Sequence, residues 1–191
     1  MTINRLSAAG AAAVLTAAAL TFPASATAAA NSAVSSIPSP QGTIEMHVSA
    51  DCAGTTCNFR TSANLLTPDG PIGFPGDAWA RQTITLRSSN KDTWQEASYS
   101  APAGMPREIK GSNHDNVLSK MFRSLNTAEI SVTYFGGGPA DRFVVDGTSA
   151  PRQWSDGQPA LGSDFIVCTH IQAVWGGHNL ATPSTCSQTR F

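Results

Sequence analysis

The chain has 191 residues, a formal net charge of −1 and only 13% charged side chains. It contains no run of like charges, so neither nucleic acid nor an anionic membrane is expected as a partner. A chain with so few charged residues must draw its polar surface from Ser, Thr, Asn and Gln. This composition favours extended strands and turns over long helices.

The first 30 residues have the pattern of a secretory signal peptide. Arg5 supplies a positive start, an apolar run follows it, and small residues up to Ala26, Ala28 and Ala30 offer three overlapping cleavage sites. The apolar run is too short and too rich in Ala for a transmembrane helix. We therefore expect cleavage, a mature protein without a membrane span, and a secreted or extracytoplasmic location.

The segment that follows, 31–42, reads NSAVSSIPSPQG and shows no hydrophobic period. Its prolines and serines predict a flexible leader. The remaining residues, 43–191, are of a usual size for one domain with a substantial core. We predict a single β-rich domain there.

Alternating apolar and polar residues predict strands at 43–49 and 57–65. The tight turn between them holds Cys52 and Cys57, which suggests a hairpin stapled by a disulfide near its turn. The next segment, 67–78, reads TPDGPIGFPGDA, and its prolines and glycines predict that it forms neither a ladder nor a helix. We predict a stiff, exposed loop there.

The middle of the chain shows two further strand patterns and one helical pattern. Strands are predicted at 82–87 and 93–99. Between Asp115 and Leu125 the apolar residues fall on one helical stripe, which predicts a short helix. A second hairpin is then predicted from 130–134 and 142–145, with a Gly-rich turn between its strands.

The longest apolar run outside the signal segment begins at Asp164. Alternate positions from Phe165 to Trp175 are apolar except for Thr169, which predicts a strand with one buried face. Cys168 has the opposite parity, and the chain can turn after Trp175 and return to Cys186. Four cysteines in an exported chain favour disulfides over metal, and we predict the pairs Cys52–Cys57 and Cys168–Cys186.

Together these elements predict a mainly β fold. We expect a single β-sandwich, immunoglobulin-like or related, or a small barrel, with one short helix and two local disulfides. The cysteines lack the spacing of a zinc site or of a redox-active Cys-x-x-Cys pair, and no cofactor is expected.

No nucleophile, paired-carboxylate or metal-ligand motif stands out, so the sequence assigns no catalytic, cofactor-binding or metal-binding residue. Four side chains are candidates for ligand binding. Trp79 and Trp154 stand beside predicted loops, Phe74 lies in the Pro/Gly loop, and His178 lies in a Gly-rich turn framed by the second disulfide.

The Ala-rich signal segment, the Ser/Pro segment and the two-disulfide β pattern are similar to those of small exported proteins of actinobacteria. The favoured function is a non-enzymatic exported β domain that binds a protein, glycan or lipid outside the cell or at its envelope. A secreted protease inhibitor that uses the loop 69–77 is one alternative. A secreted hydrolase with a dispersed site is the other.

Overall fold

The computed structural model describes residues 31–100 and 117–191, so the predicted signal segment lies outside the described residues. Within these ranges the regular structure consists of strands and one turn of 3₁₀ helix at Ala140–Phe143. The strands are β1 Asn31–Ser39, β2 Gly42–Ala53, β3 Thr56–Thr67, β4 Gly70–Ile72, β5 Trp79–Arg87, β6 Thr93–Ser100, β7 Val117–Ser124, β8 Thr127–Phe135, β9 Val144–Gln153, β10 Asp164–Trp175, β11 His178–Ala181 and β12 Thr185–Arg190. The mainly β fold class is confirmed.

The strands form two antiparallel sheets in a sandwich-like arrangement. Sheet A has the order β1-β2-β3-β9-β6, and β4 also pairs with β3. Sheet B has the order β11-β10-β5-β8-β7, and β12 also pairs with β10. This order differs from the ABED and CFG sheets of immunoglobulin domains, so the sandwich has another topology.

The core lies between the sheets, and side-chain alternation along each strand explains it. In β2 the residues Ile44, Met46 and Val48 are buried, and the residues between them are only partly buried. In β10 the predicted apolar parity from Phe165 to Trp175 is buried throughout. Each large aliphatic or aromatic side chain removed from water contributes about 1.5–3 kcal/mol, so this layer supplies the main driving force for folding.

A buried chain of hydrogen bonds joins the sheets through the core. The Tyr134 hydroxyl of sheet B donates to Gln82 Oε1 at 3.0 Å, and Gln82 Nε2 donates across to Thr61 Oγ1 of sheet A at 2.7 Å. Thr61 Oγ1 in turn donates to the Val145 carbonyl at 3.4 Å. Because an unpaired buried polar group is costly, this chain favours one relative placement of the sheets.

Both predicted disulfides are present, and each joins directly opposed residues of neighbouring strands. Cys52 pairs with Cys57 across β2 and β3, and Cys168 pairs with Cys186 across β10 and β12. None of the cysteines is free. The two bridges indicate that the protein folds in an oxidising compartment.

The helix predicted from Asp115 to Leu125 is wrong, because Val117–Ser124 forms strand β7. A two-residue turn at Leu125 and Asn126 leads directly into β8, which pairs in antiparallel register with every residue of β7. The apolar residues therefore divide between two faces of a strand. The first two residues of the predicted helix lie outside the described residues.

The predicted flexible leader is also wrong over most of its length. Asn31–Ser39 forms edge strand β1 and pairs in register with β2. Ala33 and Ile37 pack against the core, and Pro38 is tolerated because an edge strand leaves one row of backbone groups without a ladder partner. The apolar residues on one side of β1 are partly buried against the core, and this burial orders a segment whose composition alone favours disorder.

The second predicted hairpin does not form. β8 belongs to sheet B and β9 to sheet A, and the Gly-rich turn with the 3₁₀ helix carries the chain from one sheet to the other. Phe143, at the end of that helix, is fully buried and contacts the ring of Tyr134 at 4.7 Å between centroids. The connection is thus fixed by an aromatic anchor in the core.

Candidate functional site

The side of sheet A that faces away from the core carries polar side chains across four neighbouring strands. Alternation places these residues outward because their neighbours in sequence are buried. We call this surface the polar face, and its residues are Glu45, His47, Ser49, Asp51, Asn58, Arg60, Ser62, Asn64, Trp94, Glu96, Ser98, Ser100, Asp146, Thr148 and Arg152.

An open cavity of about 460 Å³ lies at the centre of the polar face. Two cross-strand rows of polar side chains line it: Asp51, Asn58, Thr148 and Ser98 in one row, and Ser49, Arg60, Asp146 and Ser100 in the other. Between these rows runs a third, in which Phe59, Gly147 and Tyr99 are directly opposed. The backbone of this row forms the floor, and Phe59 and Tyr99 are buried.

Gly147 is required at its place in the floor. A Cβ at this position would lie 2.3 Å from Cζ of Phe59 and 2.6 Å from the carbonyl oxygen of Ser98. Both distances are far inside van der Waals contact. The absence of a side chain at residue 147 therefore lets the Phe59 ring pack under the cavity.

Two ion pairs order the charged side chains of the polar face. Arg60 Nη1 lies 3.0 and 3.1 Å from the two carboxylate oxygens of Asp146, and Arg152 Nε donates to Glu96 Oε2 at 2.6 Å. Both pairs are solvent-exposed, so each stabilises the fold by less than about 1 kcal/mol. Glu45 and Asp51 add two more acids, which leaves the face with an excess of negative charge.

A hydrogen-bonded cluster of three side chains stands at one end of the polar face. Asn64 Nδ2 donates to Glu45 Oε2 at 3.0 Å, which turns Asn64 Oδ1 toward His47 Nε2 at 2.9 Å. The same nitrogen lies 3.3 Å from Glu45 Oε2. Because both partners of Nε2 are acceptors, this nitrogen carries a proton. The cluster is pre-organised to offer donors and acceptors to a ligand.

Two tryptophans form a platform at the opposite end of the polar face. The rings of Trp94 and Trp154 lie 6.1 Å apart between centroids, with an angle of 42° between their planes. Trp154 is 53% exposed and Trp94 is partly buried, so the pair presents mainly the Trp154 ring to solvent. A second open cavity lies beside Trp154, lined also by Asn90, Asp92, Gln153 and Ser155.

The structure separates the residues that the sequence named as binding candidates. Trp154 belongs to the platform just described. Trp79 is the first residue of β5 and lies on the outer side of sheet B, with the Arg81 guanidinium 5.8 Å from its ring centroid. His178 is exposed at the turn between β10 and β11. These three side chains do not form one site.

Phe74 does not fit the expectation of an exposed loop. Its side chain is 3% exposed and packs edge-on against Phe143 and Trp175, with centroid distances of 4.8 and 5.8 Å. The Phe74 carbonyl also accepts a hydrogen bond from Gly138 N. Within the same segment, Gly70–Ile72 forms the short strand β4, so the prediction that it forms no ladder is wrong.

Sequence reasoning missed Trp94 and the cluster of Glu45, His47 and Asn64. Strand alternation does place Glu45 and His47 on the outward parity of a predicted strand. It does not reveal that Asn64 is their neighbour, because that requires the register between β2 and β3. Trp94 acquires its role only when β6 pairs with β9, whose end leads to Trp154.

Within residues 31–100 and 117–191, no group of three or more His, Cys, Asp or Glu side chains is placed to hold a metal ion. No helix in these same ranges is long and apolar enough to cross a membrane.

No protein-family model matches the chain, and no curated protein matches it. Among solved structures, the crystal structure of the Clostridium perfringens NetB toxin in the membrane inserted form is 10% identical to the chain. That match has a TM-score of 0.27 and covers 84% of this chain and 94% of the toxin chain. A likeness at this TM-score carries no argument about fold or function.

Proposed function

We propose that this chain is an exported, non-enzymatic β-sandwich domain that binds a neutral glycan on its polar face. The observation that carries the proposal is the platform of Trp94 and Trp154 at one end of that face, in line with the central cavity. The signal-like N-terminal segment and the two disulfides support an extracytoplasmic location.

The platform supplies the apolar part of glycan recognition. One side of a pyranose ring presents mainly C–H groups, and an exposed indole ring offers a flat partner for them. Because the Trp154 ring contacts Trp94, less of its side-chain freedom remains to be lost when a sugar stacks on it.

The cavity and the cluster supply the polar part. Ser98 lies four residues after Trp94 in β6, which places the cavity about 13 Å from the platform along the strand. Side chains of Asp51, Asn58 and Thr148 line the cavity and can exchange hydrogen bonds with sugar hydroxyls. A ligand that reaches both regions is a chain of sugars rather than a single one.

The charge of the polar face limits the kind of glycan. Glu45, Asp51, Glu96 and Asp146 outnumber Arg60 and Arg152, so a sulfated or uronate chain would meet repulsion. Neutral hexoses and N-acetylhexosamines carry no such penalty. We therefore assign a neutral glycan.

The geometry gives less support to the two alternatives. A protease-inhibitor loop must protrude, whereas 69–77 contains β4 and the buried Phe74 anchor. A hydrolase gathers its acid–base groups around the scissile bond in a concave site, whereas His47 and Glu45 stand on an open sheet face with 38% and 21% of their side chains exposed.

Binding of the purified protein to insoluble neutral polysaccharides tests the proposal. Chitin, cellulose and insoluble β-1,3-glucan would be compared with an insoluble anionic polymer, calcium alginate, in a sedimentation assay. We expect the wild type to be retained on at least one neutral glycan. The Trp154→Ala variant should bind that glycan with an affinity lower by about tenfold or more, because truncation of a central aromatic contact costs more than about 1 kcal/mol of binding free energy.

The matched control is Leu125→Ala, since Leu125 is 82% exposed in the turn between β7 and β8 of the other sheet. Its retention should equal that of the wild type. Retention only on the anionic polymer, or equal retention of wild type and Trp154→Ala, would contradict the proposal.

A further inference from the structure

The outer side of sheet B differs chemically from the polar face. Its outward positions on β5, β7, β8 and β10 carry large apolar side chains and cations among threonine, serine and other polar residues. We call this surface the aromatic-basic face, and its apolar and basic residues are Trp79, Leu118, Phe122, Phe135 and Val174, with Arg81, Arg87 and Lys120.

Three of its apolar residues form a row across three strands. In the sheet register, Trp79 is directly opposite Val174 on one side and Phe135 on the other. Directly opposed side chains in an antiparallel pair have Cβ atoms about 5 Å apart, so the row is continuous. Phe135, at one end of this row, is 47% exposed. Phe122, on the edge strand β7, is 56% exposed and stands apart from the row, opposite Glu129. A row of large apolar side chains on the surface of a domain is typical of an interaction site.

The cations of this face are free of carboxylate partners among the described residues. The three ion pairs found in those ranges all lie on sheet A. Arg81 instead places its guanidinium over the Trp79 ring, which leaves its N–H groups available to an anion. Two acids also occupy outward positions of these strands. Glu129 is directly opposite Phe122, and Asp164 accepts hydrogen bonds from Ser88 and Ser89 and keeps its charge.

Charge is therefore divided between the two sides of the sandwich. The polar face carries four acids and two arginines, whereas the outward positions of β5, β7, β8 and β10 carry three cations and two acids. The formal net charge of −1 hides this division. Net charge and runs of like charge along the sequence do not reveal this division, which is why they predict no anionic membrane as a partner. Folding produces the division because it brings together cations from separate strands.

We propose that the aromatic-basic face docks on an anionic phospholipid surface. Phe122, Phe135 and Trp79 would enter the interface between headgroups and acyl chains, where aromatic rings are favoured. Arg81, Arg87 and Lys120 would bind lipid phosphates, and each such cation near the surface adds to the attraction. The polar face would then point away from the membrane. This docking is independent of glycan binding.

Sedimentation of the purified protein with vesicles tests the docking. Vesicles of phosphatidylcholine alone would be compared with vesicles that also contain phosphatidylglycerol. We expect partition to the anionic vesicles to exceed partition to the neutral ones by about tenfold or more. The double variant Phe122→Ser, Phe135→Ser should lose most of this binding, because both side chains are exposed and the fold does not depend on them.

A charge variant and a control complete the experiment. Arg81→Gln with Lys120→Gln should abolish the preference for anionic vesicles, whereas Leu161→Ser, which removes a 67% exposed apolar side chain elsewhere, should behave as wild type. Absence of vesicle binding by the wild type would overturn the proposal. So would unchanged binding in the Phe122, Phe135 variant, or self-association through these residues, seen by ultracentrifugation, in place of vesicle binding.

Discussion

Trp94 and Trp154 lie 6.1 Å apart between ring centroids, although one stands in β6 and the other follows the end of β9. Pairing of the two strands sets this distance. Arg152 is opposite Trp94 in the ladder, and Trp154 N donates to the Asp92 carbonyl at 2.9 Å. The platform is thus part of the sheet framework, and its two rings are held in place before any ligand arrives.

The buried anchor at Phe74 leads to a prediction about the Pro/Gly segment. Phe74→Ala should lower the free energy of unfolding by about 3–5 kcal/mol, because it removes a buried aromatic side chain and leaves a cavity. Ile72→Ala should cost much less, since Ile72 is 49% exposed. Denaturant unfolding of both variants measures the difference. Equal, small losses would show that the segment is not anchored.

Gly147 offers a test of the cavity floor. Gly147→Ala should destabilise the fold by about 1–3 kcal/mol, because its methyl group would overlap the ring of Phe59. Gly76→Ala is the matched control, as a Cβ there would meet nothing within 4 Å. Thermal unfolding compares the two. A Gly147→Ala variant as stable as the control would mean that Phe59 does not pack under residue 147.

The buried hydrogen bonds from Tyr134 through Gln82 to Thr61 lead to the prediction that the protein loses stability in alkali. Burial raises the pKa of Tyr134 far above its usual value, and the nearby Arg142 only partly offsets this. The native state therefore keeps the phenol proton while the unfolded chain releases it above about pH 10. Stability from this group is complete below that pH and falls as the pH rises.

Tyr134→Phe isolates this effect. Between about pH 9 and pH 11 the wild type should lose about 1.4 kcal/mol more than the variant, since the variant has no phenol to ionise at this position. Below about pH 9 the variant should be less stable than the wild type by about 1–3 kcal/mol, because Gln82 Oε1 loses its donor, and this difference should shrink as the pH rises. Parallel curves of unfolding free energy against pH would contradict the assignment.

The strands around the core could be predicted from sequence because one face of each is apolar. Apolar and polar residues alternate with a period of two along β2, β3, β5 and β10. The disulfides could be predicted because each pair of cysteines is separated by a short segment that contains a turn. The failures share one cause. β7 has a helical spacing of apolar residues, and β1 has the composition of a linker, yet each finds a neighbouring strand edge whose pairing outweighs local preference.

Only single residues of the candidate site can be predicted from the sequence. Trp154 is one of them, because it stands beside a predicted loop. Its partner Trp94, the floor at Gly147 and the neighbourhood of His47 and Asn64 all depend on register between strands that are distant in sequence. Phe74 was misjudged because Pro and Gly around it indicate a loop, and they do not indicate whether a side chain of that loop reaches the core.

The central claim is that the platform on sheet A takes a neutral glycan, and titration followed by NMR of the indole N–H groups tests it most directly. The chain has four tryptophans, at 79, 94, 154 and 175, and so gives four indole signals. On addition of a soluble oligosaccharide of the retained glycan, the signals of Trp94 and Trp154 should shift in proportion to saturation. Those of Trp79, on the other sheet, and Trp175, in the core, should stay unchanged. Shifts of the Trp79 signal with a constant Trp154 signal would contradict the account.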